Sequence, residues 1–323
     1  MRQFLLFFKK TQPVPQPWGA YHLAWIAAAV TGVCLTFLLS PRLRTRERAA
    51  DALTAAIGYF LLVLEILKQT VGSLHVTNNG IEYNYPWSIF PFQLCSTPLY
   101  VCPFIPVLRQ GKLHGALCGF LGTFGILGGI CVLLNPKTVF CEKVFGNLHT
   151  MLWHTGLILL GVLQWSARTV TDKTPRANSA LPPLYSKFSH ANERHAAKML
   201  RAQPPRFCGF IGSVYVFLFF LTAAVTLNFA LPQYAEKGFD LFYVNPYASG
   251  MHVGFLIAFK SAVPYPVYLT AYACALIGGA DVLYALLLRT RIHASRSAVP
   301  PTLASHRSAK RVNLPKNGAA NGS

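Results

Sequence analysis

Cys95 and His154 are the residues whose types best suit covalent chemistry. A thiol is a useful nucleophile as its thiolate, and a neighbouring imidazole promotes that ionisation. Such a pair takes an acyl group from an ester and passes it on. The blander reading makes His154 a hydrogen-bonded packing residue and Cys95 a small hydrophobe, one of eight cysteines. Glu65 and Lys68 are three residues apart, so on a helix they share a face. They neutralise each other there, or Glu65 orients His154 or a substrate headgroup. Gln93 and Asn228 are amides able to donate to a developing oxyanion. His149 lies five residues before His154, a poor spacing for one helix face, so no metal site is expected. No cofactor is expected either.

These residues lie in or beside apolar runs. A spanning helix needs roughly 20 apolar residues to cross about 30 Å of hydrocarbon. Seven runs qualify as candidates: 18–39, 50–72, 92–108, 113–134, 148–166, 210–231 and 264–288. The third is short and holds Pro98, Pro103 and Pro106, which remove backbone donors and kink helices. Inside a bundle such a break is tolerated and often marks a site. The expected fold is all-α, a polytopic membrane bundle of about seven transmembrane helices. It divides into a juxtamembrane N-terminus (1–17), a seven-span domain (18–294) and a disordered basic tail (295–323). The first residues do not resemble a signal peptide, because Lys9 and Lys10 interrupt a short apolar core.

Only 12% of residues are charged, about half the usual share of a soluble domain. The net charge of +19 does not point to nucleic acid, because Lys and Arg sit between the apolar runs. Alternate connections carry 21 and seven of these cations, with Lys68 inside the second run. Positive charge stays cytosolic, so the N-terminus is expected outside and the C-terminus in the cytosol. The cytosolic connection 167–209 is basic and Pro-rich. Its stretch 186–201 reads as a solvated linker or as a surface helix on anionic lipid headgroups.

This topology puts Glu65, Lys68, Gln93, Cys95, His154 and Asn228 in the outer third of the bilayer. Asp281 is the inner exception and has no assigned role. The outer stretch 239–247 and the entry Pro264-Tyr265-Pro266 form either an interfacial aromatic belt or a lid. Cys131 and Cys141 flank an outer loop and are candidates for pairing.

The segment from Tyr85-Pro86-Trp87 through Pro91-Phe92-Gln93-Leu94-Cys95 resembles the signature of YwaF-like integral membrane proteins. Three more features are similar in order: a Gly-rich fourth run ending at Asn135-Pro136, His154 opening an apolar run, and a sixth run ending Thr226-Leu227-Asn228-Phe229. The resemblance covers roughly residues 50–288. Its eukaryotic branch implies a cysteine-dependent acyltransferase acting on ether phospholipids, with Cys95 as nucleophile and His154 as base. Where bacterial members have a His two places before the Cys and an Asp just after it, this chain has Gln93 and Ser96.

Two functions follow as expectations. The first is a membrane-embedded acyltransferase that moves a chain between a phospholipid and a lysophospholipid through Cys95 and His154. The alternative is a non-enzymatic lipid or small-molecule binder or transporter using the same cluster, gated by the broken third run. A receptor is disfavoured, since no Asp-Arg-Tyr follows the third run and Asn245-Pro246-Tyr247 falls in a loop.

Overall fold

A computed structural model describes residues 1–44, 47–108, 111–167, 206–248 and 253–297. The expectations for 168–205, including a surface helix at 186–201, and for the tail 298–323 lie outside the described residues.

An apolar chain satisfies its backbone within one segment by coiling into an α-helix. The long helices are α2 (Ala20–Arg44), α3 (Glu47–Ser73), α7 (Val144–Ala167), α8 (Arg206–Ala230) and α10 (Tyr265–Ser297). Another long helix joins α5 (Lys112–Phe120) to α6 (Ile126–Leu134) through a π-turn at Leu121–Gly125. The wide turn leaves the Gly122 carbonyl to the Trp165 indole, which donates to it at 2.6 Å. Shorter helices are α1 (Arg2–Phe8), α4 (Pro98–Val101) and α9 (Gly254–Ala262). An antiparallel hairpin, Leu74–Thr77 with Gly80–Tyr83, follows α3. The protein is mostly helical, and five helices are long and apolar enough to cross a membrane: α2, α3, α5–α6, α8 and α10. That composition marks a membrane protein.

Two expected runs look different. Residues 92–108 do not form one helix. Prolines at 91, 98, 103 and 106 divide them into a 3-10 turn (Leu94–Ser96), α4 and a second 3-10 turn (Cys102–Phe104). The run 148–166 lies in α7, which is continuous but less apolar. It carries Asn147, His149, His154 and Gln164, all buried. It is the central helix and packs on α2, α3 and α6.

Glycine lets α6 and α7 meet backbone to backbone. A Cβ on Gly129 would lie 2.8 Å from the His154 carbonyl oxygen, and one on Gly161 would lie 2.7 Å from that of Leu121.

Named contacts fix the helix directions. Glu65 of α3 faces His149 of α7, and Thr54 faces Gln164, so these two helices are antiparallel. Gly129 meets Ile158 and Gly122 meets Trp165, so α6 also opposes α7. Gly212 meets Ala116 while Phe217 stacks on Phe124, so α5 and α8 are parallel. Tyr268 of α10 donates to the Tyr243 carbonyl, whereas Tyr284 packs on Trp165 and Phe210. The bundle therefore has a Glu65 end and an Asp51 end. At the Glu65 end the N-terminal segment is tied to the start of α7, with Gln12 N–H donating to the Glu142 carbonyl at 2.8 Å.

Cys131 and Cys141 do not pair, and both are free thiols. Cys131 is exposed on α6, and the Cys141 thiol points to the Lys143 carbonyl at 3.8 Å.

Candidate functional site

Polar side chains in an apolar bundle need partners, so their pairing shows where a site is built. On α3, the Glu65 carboxylate is buried. Its Oε1 accepts from Lys68 Nζ at 2.7 Å and from Gln69 Nε2 at 2.6 Å. Gln69 also donates to the Ile89 carbonyl, which pins the loop after the hairpin. Oε2 stands 3.6 Å from Nε2 of His149, and neither atom has a hydrogen-bond partner among the described residues. Glu65 thus faces His149, not His154. Sequence reasoning set His149 aside because it does not share a face with His154. The separation is real, but it turns each histidine toward a different neighbour.

The α7 faces explain this. Phe145, His149 and Trp153 follow one stripe, with the His149 ring stacked on Trp153 at 5.2 Å. The Trp153 indole continues the chain of contacts and donates to the Cys95 carbonyl at 3.0 Å. This bond fastens the 3-10 turn of Cys95 to α7 one residue before His154. The same turn packs against α6. His154 lies on the stripe of α7 that faces α6, alongside Ile158.

The tautomer of His154 follows from its bonds. Nδ1 lies 2.8 Å from the Thr150 carbonyl, and a carbonyl only accepts, so Nδ1 carries the proton. In the neutral ring the lone pair is then on Nε2, which is buried and has no hydrogen-bond partner among the described residues. No hydrogen bond joins Cys95 to His154 here.

Gln93 and Asn228 meet on another element, the loop 239–247. Asn228 Nδ2 donates to the Leu241 carbonyl and its Oδ1 accepts from Leu241 N–H, both at 3.0 Å. Both ends of its amide are engaged by Leu241, so Asn228 holds the loop. Gln93 Nε2 donates to the Asp240 carbonyl at 2.6 Å, while its Oε1 has no partner among the described residues. Asn245 N–H donates to Asp240 Oδ1 at 2.8 Å, and Lys260 lies 3.7 Å from Oδ2. Phe239, Leu241, Phe242 and Val244 are buried, so the loop is a plug in the core and not an interfacial belt.

Within the plug Phe242 and Tyr243 have φ of 54° and 58°, a strained region for non-glycine residues. The turn leaves Tyr243 partly exposed at the edge of the plug, its backbone carbonyl accepting from the Tyr268 hydroxyl at 2.9 Å. Nothing in the sequence pattern separates Tyr243 from the other aromatics of this stretch. Only the backbone turn does.

Asn228→Ala should leave the buried Leu241 N–H unpaired, at about 1–3 kcal/mol, while the Leu241 carbonyl keeps its bond from Val244 N–H at 3.2 Å. Limited proteolysis should then cut at 239–247, where the wild-type chain resists. An equally resistant variant would show that the plug is held by its aromatics alone.

A second buried polar group sits at the Asp51 end. Asp51 lies 3.4 Å from His114, and Gln164 Nε2 donates to Thr54 Oγ1 at 3.0 Å. Sequence reasoning counted Asp281 as the lone polar residue in that half, but Asp51, Thr54, His114 and Gln164 are all buried there. They sit near the ends of their apolar runs and so read as flanks. Asp281 itself is exposed on α10. Among the described residues no group of three or more His, Cys, Asp or Glu is arranged to hold a metal.

Compared with known proteins, the chain matches no family model, no curated protein and no solved structure.

Proposed function

We propose that this chain is a seven-span membrane acyltransferase in which Cys95 carries the acyl group and His154 moves the proton. Seven crossings are supported by helix direction. Since α3 ends at the Glu65 end and α5 begins beside Asp51, the broken segment between them traverses the bundle. α7 traverses it as well, so these two crossings join the five apolar helices. The N-terminus then belongs to the Glu65 side and the C-terminus to the Asp51 side. With the basic connections on the Asp51 side, the positive-inside rule makes that side cytosolic.

The observation that carries the chemistry is the unpartnered Nε2 of His154, next in sequence to the tryptophan that anchors the Cys95 turn. In the first half-reaction Nε2 takes the thiol proton and the sulfur attacks the acyl carbonyl. The ester C–O bond breaks, and the lysophospholipid oxygen leaves with that proton. In the second, Nε2 takes the proton of an acceptor hydroxyl, which attacks the thioester. The thiolate leaves and is reprotonated from the imidazole. Glu65 and Lys68, held together beneath the surface, orient the headgroup side. A phospholipid ester is the fitting substrate class, because esters lie just below headgroups, at the depth of these residues.

His154→Gln tests the base. It should lower transfer of a labelled acyl chain between phospholipid and lysophospholipid by about 10²–10⁴-fold. Full activity in a folded variant would remove His154 from the mechanism.

The Asp51–His114 group supports a second reading, a binder or transporter. Buried polar clusters at both ends of α3 are what access from two sides needs. Ligand flux that survives Cys95→Ser and falls with Asp51→Asn would select this reading.

A further inference from the structure

A groove of about 950 Å³ opens between α4, α5 and α8, on a flank of the bundle. Val101, Leu117, Val216 and Phe220 line its depth, and Tyr215 and Phe219 are exposed at its rim. Its floor reaches the backbone of α5, because a Cβ added at Gly115 meets nothing within 4 Å. At the Asp51 end it stops at Lys112, in the first turn of α5. Lys112 is exposed and has no carboxylate partner among the described residues.

A second recess of about 640 Å³ shares Tyr100, Phe219 and Phe220 and continues to Phe92 and Leu227. From Ile211 to Leu227 the two follow α8 for about 24 Å, at about 1.5 Å per residue.

We infer that this groove is a phospholipid site separate from the thiol, with an acyl chain along α8 and the phosphate on Lys112. The shape decides for a chain: the groove is long and apolar, and it opens sideways. The charge decides for a phosphate: Lys112, exposed and without a carboxylate partner among the described residues, stands where the groove ends at the Asp51 end. Phospholipid is the molecule of a bilayer that joins both features in this order. The inference rests on the chain lying in a membrane and does not depend on acyl transfer, so loss of the Cys95 chemistry leaves it standing.

The test uses the full chain in phosphatidylcholine nanodiscs doped with phosphatidylglycerol bearing a photoactivatable diazirine in its acyl chain. Label should concentrate on peptides covering 112–117 and 211–220. Gly115→Leu fills the groove and favours helix, and it should abolish that enrichment. Gly128→Leu, at a glycine equally open but outside the groove, should keep it. Lys112→Gln should lower the enrichment about fivefold at low salt, the factor expected of one lysine near an anionic surface. Even labelling of α2, α8 and α10, or enrichment indifferent to Lys112→Gln, would overturn the inference.

Discussion

Cys95→Ala is expected to abolish acyl transfer, a loss of at least about 10⁴-fold, while the protein still folds. Both halves of that expectation come from the same geometry. The bond that seats the Cys95 turn runs from the Trp153 indole to the backbone carbonyl of Cys95, so alanine keeps it. Only the sulfur is lost. Product analysis by mass spectrometry, together with thermal unfolding in detergent, separates the two effects. Transfer that persists in the alanine variant would mean that the acyl group passes directly to its acceptor or through another residue. Cys95→Ser retains an oxygen nucleophile of much higher pKa, and it should also be nearly inactive at neutral pH.

The second large effect concerns stability. Glu65 is the buried anion on which Lys68, Gln69 and His149 converge. Glu65→Ala strands the Lys68 cation in the bundle and leaves Gln69 with only its bond to Ile89. Removing one partner of a buried pair is destabilising by about 3–5 kcal/mol. Lys68 retains some exposure and can extend toward the surface, which favours the lower part of that range. The double variant Glu65→Ala with Lys68→Met removes both charges and should recover much of the loss. Thermal unfolding of the wild type, Glu65→Ala, Lys68→Met and the double variant completes the cycle. Equal, additive losses would show that the pair is not coupled and that Glu65 is held by His149 instead.

The helices were legible because lipid-facing apolarity and helix length are written directly in the chain. Residues 113–134 became α5–α6 almost to the residue, and 50–72 became most of α3. The prolines of 92–108 foretold a break, and the break is where Cys95 sits. What stayed hidden is what depends on rotation about a helix axis or on distant partners. His149 and His154 are both buried in α7, and only packing decides that one meets Glu65 and the other faces α6. Asp51 and His114 are 63 positions apart and each sits near the edge of its apolar run, so no local pattern joins them. The stretch 239–247 carries belt-like aromatics, yet Asn228 and Gln93 fasten it into the core. Amide side chains that serve a distant backbone look, in sequence, the same as amides that serve a ligand.

The central claim is that the sulfur of Cys95 takes the acyl group under the influence of His154. The most direct measurement is the mass of the intact protein after incubation with phospholipid and no acceptor, followed by peptide mapping. One acyl chain, released by hydroxylamine and confined to the Cys95 peptide, is the predicted result, weaker in His154→Gln and absent in Cys95→Ala. An unmodified protein, or acylation spread over the exposed thiols of Cys34, Cys131 and Cys274, would contradict it.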